Sequence, residues 1–496
     1  MPALLARAHQ YAARPAVIDS TATHTYDALL RDSARVSAAL LAGREDLCEE
    51  RVAFLVTPGY SWVVVLWGIW LAGGIAVPLP MGAPAAELEY ILDDTQAGIV
   101  FFDEANEKIL RSLSAKRNVR SYLCGQMLAQ ADTPALPAIT GERRAMILYT
   151  SGTTSRPKGV VTTHANITAQ ITALLQAWEW STHDRILLCV PLHHVHGIIN
   201  VVSCALWAGA ICEMLPRFDA HTVWDRIAAE NMTLFMAVPT IYVKLIAEWE
   251  ASSPEQRIKL CRAAAQLRLM VSGSAALPVG TLKRWKEITS HTLLERYGMT
   301  EIGMALSNPY HGERIPGSVG KPLPGVEVRL VDESGEEVFP GAPGEIEVRG
   351  ANVFLEYWGK PEATSDAFRN GWFRTGDMAV NEDGVYRILG RTSIDILKTG
   401  GHKVSALEVE EVLRDHPAIA ECAVVGVPDP EWGQRVAAAL VLKNGTALQL
   451  EELRAWAKER LAAHKVPSRL LTLEALPRNA MGKVTKPQVV ALFQRD

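Results

Sequence analysis

The chain has 496 residues, of which 48% are hydrophobic and 21% are charged, and this composition excludes extensive disorder. One hydrophobic core rarely serves so long a chain, so we expect at least two domains. A formal net charge of −5 provides no overall attraction to nucleic acid or to an anionic membrane, so local groups must hold any anionic ligand. The seven cysteines are odd in number and form no CxxC pair, which favours a reducing compartment over a disulfide framework.

The N-terminal residues allow two interpretations. Arg7 and Arg14 without any acidic residue are faintly typical of a mitochondrial transit peptide. Leu4, Leu5 and Ala8 fit equally well an amphipathic helix that ends before a strand at residues 16–18. We expect the helix and a cytoplasmic protein, with the mitochondrial matrix as the alternative.

The apolar run over residues 62–80 is long enough for a membrane-spanning helix. Gly73-Gly74 interrupts it, however, and prolines stand at its end. We therefore predict a buried helix, a turn and a buried strand, and no membrane span.

Apolar runs alternate with helical stretches up to about residue 310. Residues 51–56 precede the helical stretch 60–70, and residues 268–271 precede 279–285. This alternation predicts an α/β architecture with two largely parallel sheets.

Short strands of period two then occupy residues 317–390, which predicts a small antiparallel β subdomain. Beyond Arg391 helices and strands mix, with predicted helices at 405–413 and 450–461 and a strand at 422–427. We therefore predict an N-terminal domain over residues 1–392, a hinge near Ser393 and a mobile α+β C-terminal domain over 394–496.

A stretch of small, hydroxyl-bearing residues follows an apolar strand at Thr150 and ends at Lys158-Gly159. Small residues let backbone N–H groups approach an anion, hydroxyls donate further hydrogen bonds, and a lysine adds a positive charge. This is phosphate-binding chemistry, although the Walker A spacing is absent. The alternative is a polar surface hairpin.

This stretch resembles the signature loop of the acyl-adenylate-forming superfamily, which includes acyl-CoA synthetases, luciferases and peptide-synthetase adenylation domains. Further motifs of the family follow in the same order across practically the whole chain. One departure is Ser155, which stands where the family usually has glycine, and a serine is costly where positive φ is needed. The further motifs are Arg296-Tyr-Gly-Met-Thr-Glu301, Gly371-Trp-Phe-Arg-Thr-Gly-Asp377, Gly390-Arg391 with Lys398-Thr-Gly-Gly401, and Pro477-Arg-Asn-Ala-Met-Gly-Lys483.

The resemblance implies an ATP site. Tyr297 would lie against adenine, Asp377 would accept hydrogen bonds from the ribose hydroxyls with Arg391 beside it, and Thr300 would bind the α-phosphate. Glu301 would ligate Mg²⁺, a hard cation that prefers carboxylate oxygen. The loop that would hold the β- and γ-phosphates comprises Thr150, Ser151, Gly152, Thr153, Thr154, Ser155, Arg156, Pro157 and Lys158.

The resemblance also implies two half reactions separated by a movement of the C-terminal domain. Lys483 would stabilise the charge that develops during adenylation. After the domain swings about Ser393, Gly400 and Gly401 would line a channel for the thiol of CoA, beside His194. The family usually has Asp or Lys at the pivot, so Ser393 is a second departure.

Arg296 stands just before the Tyr-Gly-x-Thr-Glu motif, where most acyl-CoA synthetases have a small residue. A guanidinium there can bind a second carboxylate in bidentate fashion. The segments Leu294–Glu301, Ser307–Tyr310 and Pro191–Gly197 resemble the malonyl-CoA synthetase branch, of which His196 is characteristic. Ser274 would add a hydroxyl to the carboxylate site. The alternatives are an ion pair of Arg296 with Glu295 or Glu301, and a zinc site.

That zinc site would use His193, His194 and His196, but no fourth ligand is clustered nearby in the sequence. The favoured function is therefore ATP- and CoA-dependent formation of malonyl-CoA, with methylmalonate as a possible second substrate and fatty acid metabolism as the setting. A ligase for short monocarboxylic acids is the first alternative, and a non-catalytic nucleotide-binding protein is the second. We expect no nucleic acid and no obligate protein partner.

Overall fold

The computed structural model describes residues 1–117, 119–127, 135–150, 157–478 and 484–494. Two groups of predicted site residues lie outside these ranges: the loop residues Ser151, Gly152, Thr153, Thr154, Ser155 and Arg156, and the catalytic candidate Lys483.

The largest sheet of the described residues has nine strands. Its six central strands are all parallel, and antiparallel strands complete both edges. Across the sheet the strands are Lys321–Pro322, Gly303–Ser307, Leu294–Met299, Leu269–Ser272, Leu234–Ala237, Arg185–Leu188, Ile211–Met214, Pro15–Ile18 and Thr23–Thr25.

A second sheet has seven strands and a parallel centre. Only the two strands at one edge run antiparallel to their neighbours, so the prediction of two largely parallel sheets is confirmed. Its strands are Glu356–Tyr357, Lys158–Thr163, Arg144–Thr150, Ile75–Pro78, Arg51–Leu55, Ile99–Phe102 and Arg120–Leu123.

The third sheet is entirely antiparallel, as the period-two pattern predicts. It is not an isolated unit, because two short strands of the same region, Lys321–Pro322 and Glu356–Tyr357, join the two larger sheets. Its strands are Val326–Val331, Gly344–Gly350, Trp372–Glu382 and Phe368–Arg369, with Val385–Arg391 paired to Trp372–Glu382.

The fourth sheet belongs to the C-terminal part of the chain. Its hydrophobic clusters contain only residues after 396, whereas the other clusters contain only residues before 387. The fold is therefore a large N-terminal domain and a smaller α+β domain, while the boundary at Ser393 stays a prediction. The strands are His402–Ser405, Ile396–Thr399, Gly433–Leu442 and Ile419–Asp429, with Arg469–Thr472 parallel to Gly433–Leu442.

Helices cover the sheets, and several begin at side-chain caps. Thr163 and Asn166 form a capping box at the start of the helix that follows strand Lys158–Thr163. The helices are Ala3–Ala8, Tyr26–Leu41, Tyr60–Leu71, Ala85–Thr95, Glu107–Ala115, Cys124–Met127, His164–Trp178, Cys204–Ala208, Ala220–Ala228, Pro239–Ala251, Pro254–Ala264, Val279–Thr289, Pro361–Asp366, Ala406–Arg414, Leu450–Lys458 and Lys486–Phe493, with a π-helix at His196–Ser203 and 3₁₀ turns at His9–Tyr11 and Ala463–Lys465.

The apolar run forms the helix Tyr60–Leu71, a turn with Gly73 at φ +78°, and the strand Ile75–Pro78. This helix is apolar and buried nearly all round, as expected within the core of a large protein. No helix of the described residues is long and apolar enough to cross a membrane. The prediction of a buried helix, a turn and a strand is confirmed.

The prediction of an N-terminal helix followed by a strand is also confirmed. Residues Ala3–Ala8 form a helix whose Leu4, Leu5 and Ala8 are buried in the main core. The strand Pro15–Ile18 follows and joins the nine-stranded sheet.

Candidate active site

The candidate phosphate loop connects two antiparallel strands of the seven-stranded sheet. Thr150 lies opposite Lys158 in the register, so the two ends of the loop are neighbours. The hydroxyl of Tyr90 donates a hydrogen bond of 2.8 Å to the carbonyl oxygen of Pro157. The described ends of the loop are therefore held by the sheet and by a tyrosine from helix Ala85–Thr95.

Tyr357 links this loop to Glu301. The ammonium of Lys158 lies 4.7 Å from the centroid of the Tyr357 ring, within the range of a cation–π contact. The Tyr357 hydroxyl donates a hydrogen bond of 2.9 Å to Oε1 of Glu301. The fold thus brings together the predicted phosphate lysine and the predicted metal carboxylate, which are far apart in the sequence.

Glu301 fits the role of a Mg²⁺ ligand. Its side chain is buried, and Oε2 has no hydrogen-bond partner among the described residues. Burial raises the pKa of this carboxyl, an effect that a bound cation would reverse. One hard oxygen is thus available for a cation that bridges phosphates.

The predicted nucleotide residues also lie together. Asp377 and Arg391 face each other on antiparallel strands, with 2.9 Å between Arg391 Nε and Asp377 Oδ1. The hydroxyl of Tyr297 donates a hydrogen bond of 2.6 Å to Asp377 Oδ2. Burial and the charge of Asp377 hold the pKa of Tyr297 well above its usual value, so the hydroxyl stays a donor. Thr300 lies in the turn directly after the strand that carries Tyr297.

Arg296 is 4% exposed and has no ion pair among the described residues. Its Nη2 donates a hydrogen bond of 3.2 Å to Ser274 Oγ, while its Nε has no partner within the described part of the chain. Burial lowers the pKa of the guanidinium to about 10, so it remains charged at neutral pH. The side chain packs against Gly273, where a Cβ would lie 2.5 Å from Arg296 Nε.

The alternative of an ion pair between Arg296 and Glu295 or Glu301 is wrong. Glu295 accepts a hydrogen bond of 3.0 Å from the backbone N–H of Gly317, and Glu301 accepts one from Tyr357. Successive side chains of a strand point to opposite faces, so Glu295 and Arg296 diverge on strand Leu294–Met299.

His196 completes the group around Arg296. It begins the π-helix His196–Ser203, a rare conformation that is frequent at functional sites. Its Nδ1 lies 3.4 Å from Ser274 Oγ, and its Nε2 has no partner among the described residues. Burial and the nearby Arg296 hold the pKa of His196 well below its usual value, so the ring is neutral.

The zinc alternative finds no support. The rings of His193 and His194 are in contact, with centroids 4.1 Å apart. Within the described ranges, however, no group of three or more His, Cys, Asp or Glu residues could hold a metal ion.

The candidate thiol-channel residues form a second group in the C-terminal domain. Gly400 and Gly401 have φ of +54° and +80° and form the turn of the hairpin between strands Ile396–Thr399 and His402–Ser405. The atoms nearest to a Cβ built at Gly400 belong to the ring of Trp432. The contacts of this hairpin are thus separate from those of the group around Arg296, so a shared channel with His194 stays a prediction.

Ser393 is exposed and lies in a turn after strand Val385–Arg391. The N–H groups of Ile394 and Asp395 both donate to the carbonyl oxygen of Arg391. Its role as a hinge stays a prediction.

Sequence reasoning missed two residues of the site, Tyr357 and Gly273. Tyr357 lies outside every motif, and only the pairing of its strand with Lys158–Thr163 brings it to Glu301. Gly273 carried a signal, because a glycine between two serines after a buried strand is typical of a close approach.

Two family models match the chain. The AMP-binding enzyme model matches residues 4–358, and the model of the C-terminal domain of AMP-binding enzymes matches residues 408–483.

Relatives and solved structures agree with these matches. The chain is 46% identical to the mitochondrial malonate–CoA ligase ACSF3 of Xenopus laevis, over 99% of this chain and 92% of that protein. It is 33% identical to ATP-bound MatB from Rhodopseudomonas palustris, with a TM-score of 0.91 and coverage of 99% and 98%. The TM-score is 0.82 against the apo form of that protein, so this chain superimposes better on the ATP-bound form. The chain belongs to the AMP-binding enzyme family, the acyl-adenylate-forming superfamily that its motifs resemble.

Proposed function

We propose that this protein is an AMP-forming malonate–CoA ligase, which converts malonate, ATP and CoA into malonyl-CoA, AMP and pyrophosphate. The observation that supports malonate as the substrate is the buried guanidinium of Arg296, whose Nε has no partner among the described residues. A charge in such a place requires an anionic partner, and the distal carboxylate of a dicarboxylic acid supplies one. A relative 46% identical to the chain is named a malonate–CoA ligase, which supports the same substrate.

The first half reaction is adenylation. One carboxylate oxygen of malonate attacks the α-phosphorus of ATP, the bond to the β-phosphate oxygen breaks, and pyrophosphate leaves. Lys158 binds the β- and γ-phosphates, Thr300 the α-phosphate, and the pair Asp377–Arg391 holds the ribose. Lys483 stabilises the charge that develops on the α-phosphoryl group, a contribution made mainly in the transition state.

Magnesium supplies charge neutralisation of the phosphates when it is bound. Glu301 would hold it through Oε2. Tyr357 orients that carboxylate through Oε1, at 2.9 Å.

The second half reaction transfers the malonyl group to sulfur. The CoA thiolate attacks the carbonyl carbon of malonyl-AMP, the bond to the phosphate oxygen breaks, and AMP leaves. Gly400 and Gly401 bring no side chain to the hairpin turn, which leaves room for a narrow pantetheine arm. His194 lies beside the acyl group in this proposal, and Ser393 is the hinge between the two half reactions.

Arg296 disfavours short monocarboxylic acids. Acetate or butyrate would leave the buried guanidinium without its anion, and a site built for a polar group rejects analogues that lack it more strongly than an apolar pocket does. Methylmalonate adds only one methyl group, a difference of about 1–3 kcal/mol in a pocket. We therefore propose methylmalonate as a second, weaker substrate.

The compartment of the protein is a separate proposal. We propose the cytoplasm, and the name of the mitochondrial relative makes the matrix the alternative. Fractionation of cells that express the tagged full-length chain would decide between them.

The substrate is tested by pyrophosphate release with a panel of C2–C5 mono- and dicarboxylic acids. We expect malonate to have the highest kcat/KM. Arg296→Met should lower kcat/KM for malonate by at least about 10²-fold, the scale of one buried charge-assisted contact, while butyrate changes little. Arg454→Met, which removes an exposed arginine from helix Leu450–Lys458, is the control. If the ratio of kcat/KM for malonate to kcat/KM for butyrate were the same in wild type and Arg296→Met, a ligase for short monocarboxylic acids would become the favoured function.

A further inference from the structure

Lys486 forms a buried ionic triad in the C-terminal domain. The residue is 9% exposed, and its Nζ lies 2.6 Å from Asp395 Oδ1 and 2.8 Å from Glu410 Oε1. Burial lowers the pKa of Lys486, but the two carboxylates raise it overall, so the ammonium is charged. The second oxygen of Glu410 lies 3.1 Å from Arg414 Nη2, so the triad is anchored on helix Ala406–Arg414.

The position of Lys486 in the chain ties this triad to the candidate catalytic lysine. Lys486 is the first residue of the last helix and follows Lys483 by three residues. Residues 478 and 484, which flank the undescribed segment 479–483, pair in an antiparallel bridge. The N–H of Thr485 also donates to the carbonyl oxygen of Pro477 at 2.8 Å. The triad thus lies next to the described residues that flank the segment with Lys483.

Asp395 connects the triad to the nucleotide site across the candidate hinge. Its Oδ2 accepts a hydrogen bond of 3.0 Å from the backbone N–H of Arg391. The side chain of Arg391 in turn lies 2.9 Å from Asp377. A change of backbone torsion at Ser393 would separate Asp395 from Arg391, whereas Asp395, Glu410 and Lys486 all lie on the C-terminal side of Ser393.

Stability alone is a weak reason for such a triad. Desolvation of three charges offsets much of their attraction, and buried ion pairs are often replaceable by apolar residues without loss of stability. The two short charge-assisted contacts of Lys486 fix the positions of the groups better than apolar packing does, because their geometry is directional.

We propose that Lys486 is a positioning residue for adenylation, which holds the segment with Lys483 in register with the hinge and the Asp377–Arg391 pair. This inference rests on the two half reactions proposed above. In the arrangement described here, Asp395 accepts from Arg391 and Lys486 at the same time, so the lysine-bearing segment and the nucleotide site are linked through one carboxylate. After rotation about Ser393 the bond to Arg391 is lost, and Lys486 no longer sets the distance to the nucleotide.

The test measures the two half reactions separately in the full-length protein. Adenylation is followed by malonate-dependent exchange of pyrophosphate into ATP, and thiolation by conversion of supplied malonyl-AMP with CoA. We expect Lys486→Met to slow adenylation by about 10²-fold, the scale of a reacting group misplaced by about 1 Å. The thiolation rate should stay within about 3-fold of wild type, because Lys483 takes no part in that half reaction. Lys486→Arg should recover most of the adenylation rate.

Lys465→Met is the matched control. It removes an ion pair of 2.6 Å to Glu408 on the same helix Ala406–Arg414, without any link to Asp395. We expect it to leave adenylation unchanged. Asp395→Asn, which keeps the volume and removes the charge, should reproduce the selective loss and gives a second test if Lys486→Met folds poorly.

A double-mutant cycle separates positioning from general stability. In a Lys483→Ala background, Lys486→Met should slow adenylation little further, because its effect passes through Lys483. Equal losses in both half reactions, or fully additive losses in the cycle, would overturn the positioning role. A wild-type protein without activity on malonate in either half reaction would instead overturn the proposed function.

Discussion

Gly273 sets the position of Arg296, so the smallest possible side chain added there should disturb substrate choice. A Cβ at Gly273 would lie 2.5 Å from Arg296 Nε, 2.6 Å from Cζ and 2.8 Å from Cδ. Carbon atoms pack favourably at about 3.5–4.0 Å, so the guanidinium would have to move by about 1 Å. The φ of Gly273 lies outside the left-handed region, so alanine adds no backbone strain.

The expected magnitude follows from this shift. A misplacement of about 1 Å costs on the order of 10²-fold in rate, which is about 2.7 kcal/mol of transition-state stabilisation. Gly273→Ala should therefore lower kcat/KM for malonate by about 10²-fold. The value for butyrate should change far less, because that acid makes no use of the guanidinium.

The assay compares kcat/KM for malonate and butyrate in wild type, Gly273→Ala and a control. Gly280→Ala is suitable as the control, since a Cβ at Gly280 meets nothing within 4 Å. The KM for ATP should stay unchanged in both variants. If Gly273→Ala lowered kcat/KM equally for both acids, or for neither, the idea that Arg296 selects the dicarboxylate from a fixed position would be refuted.

Three other changes test separate parts of the site. Lys483→Ala should slow adenylation by at least about 10²–10³-fold while supplied malonyl-AMP still reacts with CoA; equal loss of both half reactions would contradict the two-step picture. Glu301→Gln should raise the Mg²⁺ concentration needed for half-maximal adenylation, measured by magnesium titration, and an unchanged midpoint would remove Glu301 as the ligand. Burial raises the pKa of Glu295 to about 8, whereas the pKa in the unfolded chain is about 4.3. Between these two pH values the folded protein holds a proton on Glu295 that the unfolded chain has lost, so the free energy of unfolding falls as pH rises. Glu295→Gln should therefore raise the melting temperature above that of the wild type at pH 9 but not at pH 4. A constant difference in melting temperature between the two proteins from pH 4 to pH 9 would contradict this.

The sequence by itself predicted the two largely parallel sheets and the grouping of Tyr297, Asp377 and Arg391. Residues 51–56 and 60–70 show the periods of a strand and a helix, and the structure has Arg51–Leu55 and Tyr60–Leu71 there. Gly73-Gly74 marked the turn that excludes a membrane span, because a doubled glycine disfavours a continuous helix. The order of the motifs anticipated that Tyr297, Asp377 and Arg391 would lie together. The helices and strands were predictable because periodicity is a local property, whereas the grouping of these three residues was predictable only because the motifs resemble a family whose fold brings them together.

Only the tertiary structure decided which charges are paired. Arg296 has an acidic neighbour in sequence, yet the alternation of the strand points Glu295 away and leaves the guanidinium with Ser274. Likewise, Lys486 lies 91 positions from Asp395, and the two form an ion pair because the last helix packs against strand Ile419–Asp429 of the C-terminal domain. Contacts over such separations depend on how elements pack, and packing is a property of the whole chain that no local pattern contains.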